Sequence, residues 1–292
     1  MSPWAATALG LLLLGAPAPR RAAAPKPAPP VSLLEPVQLS GDALQLRQRE
    51  HVAVYTGHVV AVRRDATVRC DVLAGWFDAS NQLLRLECVG QAEAVQGDTR
   101  ITGARADFDN VTGKIVVTGE PRATRAGVQL QARRFTYDTV RDELLGDEPT
   151  THADNTGSDG KPVSIRARSL RVDRARGTAV WTGDVRVLRS GATVKCDRLV
   201  ARSGPDGRLQ KAACTGHARM DMDDRWAVGE RADYDVSAAR VWVTGNPMAG
   251  DGANEMTGSR FTLDLEQRTL AGENVRAKVD GAAARAKGKG KR

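Results

Sequence analysis

Four cysteines form two pairs with one spacing, Cys70 with Cys88 and Cys196 with Cys214, and little else in the 292 residues could do covalent chemistry. Zinc would ask for Cys-x-x-Cys spacing or for histidine partners. None of the four histidines, His51, His58, His152 and His217, recurs at the matching place beside the other pair. A disulfide inside each pair accounts for number, spacing and repetition together, and it implies an oxidising compartment. Four buried free thiols are the alternative. The expected bonds are therefore Cys70–Cys88 and Cys196–Cys214, with no metal and no cofactor.

The polar residues closest to a catalytic arrangement lie in "GARADFDN", echoed as "GERADYDV", where Arg105, Asp107 and Asp109 return as Arg231, Asp233 and Asp235. Paired carboxylates serve acid–base chemistry or bind calcium. A strand-end turn capped by Asp, with an Arg–Asp pair on the outside, uses the same residues without chemistry. Repetition favours the structural role, because an active site seldom needs building twice. No G-x-S-x-G, Walker loop or H-E-x-x-H is present. No catalytic residue is assigned, and the chain reads as a non-enzyme.

The elements that hold these residues are written twice. "TGHVVAVRRDATVRCD" starts at Thr56 and "TGDVRVLRSGATVKCD" at Thr182, and the same step of 126 carries Gly57 to Gly183, Gly90 to Gly216, Gly119 to Gly245 and Gly146 to Gly272. Fixed-period self-similarity marks a duplicated domain. Ala53, Tyr55, Gly57, Val59 and Ala61 face apolar or Gly counterparts in the copy, whereas His58 becomes Asp184 and Val60 becomes Arg186. Side chains alternate faces along a strand, so one parity points inward and the other to water. Turn clusters such as "DASNQ", "DNVTG" and "GPDGR" separate short runs of this kind. The body reads as all-β and antiparallel. Aromatics are 4% of the chain, so small and β-branched residues are expected to fill the inner face.

By parity, Tyr55, Val59, Ala66, Val68, Ala92, Phe108, Ile115 and Val117 line that interior in the first copy. Trp181, Val185, Val194, Ala218, Tyr234, Val241 and Val243 line it in the second. Two readings stay open: a groove that admits acyl chains, or a thin dry core.

Net charge is +8, but it sits at the ends. Arg20, Arg21 and Lys26 lie near the start, and Arg285, Lys287, Lys289, Lys291 and Arg292 near the finish, leaving residues 31–280 neutral. A nucleic-acid-binding body would carry a basic stripe, so no nucleic-acid partner is expected. Residues 1–30 hold an apolar run, Trp4–Ala18, that looks like a signal h-region although no Lys or Arg precedes it. Export to an oxidising compartment follows, with an uncleaved inner-membrane anchor as the other option. The expected layout is 1–30 signal-like segment and Ala/Pro linker, 31–146 first unit, 147–161 linker, 162–280 second unit and 281–292 basic tail.

The run of "TGxVxV", "ATVxCDxL", "GxARADFD", "VTGxP" and "RFTYD" resembles the OstA-like domain of lipopolysaccharide-transport proteins, closest to the periplasmic bridge of the LptA type. The resemblance implies two tandem, stacked antiparallel β-jelly-roll units, V-shaped and open-ended, whose interiors shelter the acyl chains of lipopolysaccharide or a similar glycolipid. It also implies homologous β-domain partners in inner- and outer-membrane transport machinery. Paired cysteines and two domains in one chain depart from the usual bridge pattern. The competing class is a structural, solenoid-like envelope protein with a dry core and no lipid cargo. Unpaired strand edges at "VSLLEPVQL" and at "FTLDLEQRTLAGENVRAKV" predict head-to-tail self-association, with Val275 and Ala277 near the second edge.

Overall fold

A computed structural model describes residues 37–278, apart from 64–65, 155–160, 190, 205–206, 252–253, 265–266 and 268. The signal-like segment 1–30, the basic tail 281–292 and the middle of the 147–161 stretch thus lie outside the described residues.

The duplication is carried into the strands. The first copy supplies β1 (Gln38–Ser40), β2 (Ala43–Arg47), β3 (Val52–Arg63), β4 (Ala66–Phe77), β5 (Leu83–Gln96), β6 (Thr99–Asp109), β7 (Lys114–Thr118), β8 (Arg122–Arg125), β9 (Val128–Gln131), β10 (Arg134–Asp138), β11 (Glu143–Asp147) and β12 (Thr150–Ala153). The second supplies β13 (Val163–Arg166), β14 (Ser169–Asp173), β15 (Thr178–Arg189), β16 (Ala192–Ser203), β17 (Leu209–Met222), β18 (Arg225–Asp235), β19 (Arg240–Thr244), β20 (Met248–Asp251), β21 (Asn254–Thr257), β22 (Arg260–Asp264), β23 (Thr269–Glu273) and β24 (Arg276–Lys278). The stretch read as a linker contributes β12, the counterpart of β24. Among the described residues no helix is long and apolar enough to cross a membrane.

Four long strands, β3 to β6, run side by side and antiparallel in the first copy, and each is bent once. On one side of the bend, β6 pairs through Arg105–Asp109 with β7, which pairs with β10, which pairs with β11. On the other side, β6 pairs through Arg100–Thr102 with β8, which pairs with β9. The long strands therefore belong to two half-sheets at once. The second copy repeats the plan with β18 pairing both β19 and β20. The chain forms two compact units, and Ser169–Ala179 belongs to the first. Strand β14, which opens the second copy in sequence, therefore completes the first unit in space, with Leu144 opposite Val172 and Gly146 opposite Leu170.

The bend has a backbone cause. The β3–β4 ladder skips between Thr56 and Val59, and the β4–β5 ladder between Arg69 and Val72. At the skips sit consecutive residues with positive φ: Gly57 and His58 at 74° and 45°, Gly90 and Gln91 at 78° and 48°, repeated at Gly183–Asp184 and Gly216–His217. Only glycine adopts such angles freely, and paired left-handed residues make a bulge that turns the strand. The neighbouring strand closes over the gap. A Cβ on Gly90 would sit 2.1 Å from Asp71 Oδ2, and one on Gly216 would sit 2.3 Å from Asp197 Oδ2.

On the inner side of the same corner, Cys70 is bonded to Cys88 and Cys196 to Cys214, with Cα separations of 5.9 and 5.8 Å. Both pairs are buried. Cys70 and Cys88 pack with Val59, Leu73 and Ala92, against Tyr55, Val68 and Ala106. Beside small and β-branched residues the inner face holds Phe108 and Trp181, as parity implied, and also Phe135, Tyr137 and Phe261, all buried, because the few aromatics present are placed where their area leaves water.

Gly90→Ala and Gly216→Ala should each destabilise the fold by about 1–3 kcal/mol through strain at a positive φ plus displacement of the covering Asp. Gly97 also has positive φ, but a methyl there meets nothing within 4 Å, so Gly97→Ala should cost only about 1 kcal/mol. Urea unfolding of the three variants checks the order, and equal losses would contradict it.

Candidate functional site

Between the two half-sheets of the first unit lies an open cavity of about 90 Å³. Val68, Ala94, Ile101 and Ala123 wall it from one side of the bend. Leu73, Leu86, Ala106, Phe108, Ile115, Phe135, Tyr137 and Leu144 wall it from the other, with Cys88, Ala92 and Val117 beside them. Strand parity explains the set: Phe108 and Ala106 are two apart on β6, Ile115 and Val117 on β7, Phe135 and Tyr137 on β10.

Glu93 and Asp107 also border the cavity, and both have their charge drawn outward. Asp107 accepts hydrogen bonds from Arg105 Nε at 2.7 Å and from Arg85 Nη2 at 2.9 Å. The bond from Arg105 is the main cause that holds the Asp107 carboxyl below the usual carboxylate range. Glu93 is paired with Arg100 and with Arg69, the latter at 3.6 Å. Tyr137 buries its ring in the wall and donates its hydroxyl to Asp142 Oδ1 at 2.7 Å. Burial first, and that bond second, push its pKa far up. The interior surface is thereby left apolar while both bordering carboxylates are held by arginines.

Of the residues expected to line this interior, Val68, Ala92, Phe108, Ile115 and Val117 border the cavity. Val59 and Tyr55 lie in the adjoining core cluster, and Ala66 is buried. In the second copy, Trp181, Val185, Ala218, Val241 and Val243 are buried, and Val194 and Tyr234 are partly so. Val241 and Val243 pack with Ala227, Ala249 and Phe261, and Met220, Met256 and Tyr234 lie against them. Leu86, Ile101, Phe135, Tyr137 and Leu144 were not singled out from sequence. Alternation in "RFTYD" and "LLRLEC" marks some of them, but which half-sheet faces the cavity is decided only by the bend.

The Arg105–Asp107–Asp109 cluster is structural. Asp109 Oδ1 accepts from the backbone N–H groups of Val111 and Thr112, each at 2.9 Å, and so caps the β6–β7 turn. Arg231 and Asp233 pair in the same way, and Asp235 caps the next turn through Ser237 N at 3.0 Å.

Strand edges differ sharply between matched positions. Leu144, Leu170 and Val172 at the β11–β14 pairing are at most 2% exposed. Their counterparts Leu270, Leu44 and Leu46 are 42%, 49% and 62% exposed. Among the described pairings β2 joins only β3, and β23 only β22. Arg171 reaches across to Glu143, and Arg174 Nη1 lies 3.5 Å from Asp142 Oδ1. At the far end β23 and β24 are both edge strands among the described pairings, β23 joining only β22 and β24 only β21, where Ala277 is opposite Met256.

Residues 38–143 and 164–269 each match the family described as LptA/(LptD N-terminal domain) LPS transport protein. No curated protein matches the chain. Among solved structures, the crystal structure of LptH, the LptA homologous periplasmic component of the conserved lipopolysaccharide transport device from Pseudomonas aeruginosa, is similar at 19% identity and a TM-score of 0.35, covering 39% of this chain and 82% of that one.

The matched leucines provide a test within one molecule. Leu144→Ala should cost about 2–5 kcal/mol, as expected for a fully buried leucine, and Leu270→Ala no more than about 0.5 kcal/mol, as for an exposed site. Chemical denaturation of both variants at low protein concentration reads the difference. Similar losses would mean that the two edges are not in different environments.

Proposed function

The chain belongs to the LptA/(LptD N-terminal domain) family of LPS transport proteins, and from that premise we propose that it is a periplasmic bridge whose interior shelters the acyl chains of lipopolysaccharide or a related glycolipid. The observation that carries this reading is the cavity of the first unit, walled by aliphatic and aromatic side chains from both half-sheets. Each buried methylene gains about 0.8 kcal/mol over exposure to water, so a lipid with several chains crosses an aqueous compartment only if they stay covered. An apolar trough does this without a reaction, and no residue needs to be catalytic. The competing reading, a dry structural core, assigns the same wall to packing alone.

The partners follow from the edges. The β11–β14 pairing is a pattern for what β2 and β23 would do with another chain. In the same register, Leu270 would face Leu46 and Gly272 would face Leu44. Strand addition of this kind buries exposed leucines and satisfies the unpaired backbone groups together. Contact between two different edges is heterologous and so grows open-ended rods, not a closed dimer. The partners proposed are homologous β-domains of the inner- and outer-membrane machinery, and other copies of this chain.

Two measurements check these expectations. Photo-crosslinking residues at Tyr55, Val59, Ile115 or Val117, and at Trp181, Val185, Val241 or Val243, should label acyl chains of bound lipid, while those at His58 or Asp184 should not. Equal labelling of both sets, or none, would sink the trough and favour the dry core. In light scattering, mass should rise with concentration, and Leu46→Lys or Leu270→Lys should shorten the assemblies without loss of strand content. A monomer at every concentration, also with a homologous β-domain added, would defeat the bridge.

A further inference from the structure

The corner that bends β3–β6 is where the ladder shifts register, and in both copies a disulfide lies at it. The β4–β5 register runs to Arg69–Glu93 and is taken up again at Val72–Val89. Cys70 sits at that shift, and Cys88 lies just before the Gly90–Gln91 bulge. In the second copy the register runs to Lys195–Arg219 and is taken up again at Arg198–Thr215, with Cys196 at the shift. The bonded sulfurs are on the inner side, with Cys88 on the cavity wall, while Asp71 and Asp197 cover Gly90 and Gly216 at the same corners.

The half-sheets meet at this register shift, and the cavity is the space between them. Its width depends on the angle at the corner. We infer that the Cys70–Cys88 and Cys196–Cys214 bonds are braces that fix this angle and thereby set which acyl chains the interior accepts. The cysteines are thus positioning residues for cargo, and this inference rests on the acyl-chain reading proposed above.

The test uses the full chain with Cys70→Ala/Cys88→Ala, with Cys196→Ala/Cys214→Ala, and with all four changes. Each double variant keeps one braced copy, so it remains informative if the quadruple variant does not fold. Saturated fatty acids of increasing length compete against a fluorescent acyl probe. In the oxidised parent, affinity should rise about fourfold per methylene and then stop once the interior is full. Loss of the brace should shift or blur that stopping point and weaken the best chain by about tenfold.

A second readout is independent of cargo. Spin labels carried on ketone-bearing residues at exposed Arg122 and Arg134, one on each half-sheet, should give a narrow distance distribution in the parent and a broad one in Cys70→Ala/Cys88→Ala. Unchanged chain-length dependence with unchanged distances would overturn the brace. Broadened distances in a protein that binds no fatty acid even when oxidised would support the brace and overturn the acyl reading. Broadened distances with unchanged chain-length dependence would overturn the claim that the brace selects cargo.

Discussion

The architecture of each unit depends on long strands that shift register at one place so that the sheet can bend. A straight antiparallel ladder of this length would present one flat apolar face and have nothing to cover it. Two successive left-handed residues interrupt each ladder, at Gly57–His58 and Gly90–Gln91 and again at their copies, and the two half-sheets so made face each other. At the corner an aspartate covers the glycine and a disulfide ties the inner side. Closing loops with a sequence separation of 18 is worth about 3 kcal/mol in the chain-entropy model.

Charge handling follows from the same geometry. With one face of each half-sheet apolar, carboxylates that fall beside the cavity must be drawn outward, and Arg85, Arg105, Arg69 and Arg100 do this for Asp107 and Glu93. The arginine-rich outer face is thus part of what keeps the interior free of charge. Aspartates at strand ends have another task, accepting the free N–H groups of tight turns, as Asp109 and Asp138 do. The repeated acidic motif of the sequence serves the turns and the outer face.

Duplication gives the chain an internal comparison. At the β11–β14 pairing, leucines and valine are buried and Glu143 meets Arg171. At the matched free edges leucines are exposed, and Thr269 stands in place of Glu143 and Gln45 in place of Arg171. The pairing inside the chain is secured by charge, whereas the free edges offer shape and apolar surface to whatever docks there.

Sequence by itself determined the duplication, the all-β class, the inward parity of Phe108, Ile115 and Val117, and the pairing of the cysteines, because each is a local or periodic property. A step of 126 and an alternation of two can be read from letters alone. Repetition of Arg105, Asp107 and Asp109 was likewise legible, and the structure has Asp109 capping a turn and Asp107 paired with Arg105. Tertiary structure decided what periodicity cannot carry. Parity says which side of a strand is apolar but not which strands lie opposite, so Leu86, Phe135, Tyr137 and Leu144 were found only once the bend brought the half-sheets together. It decided that Ser169–Asp173 completes the first unit, although the repeat assigns it to the second. It also decided that Leu144 is buried and Leu270 exposed: identical residues at identical places in the repeat differ because burial belongs to the neighbour a strand acquires, and no residue encodes its neighbour.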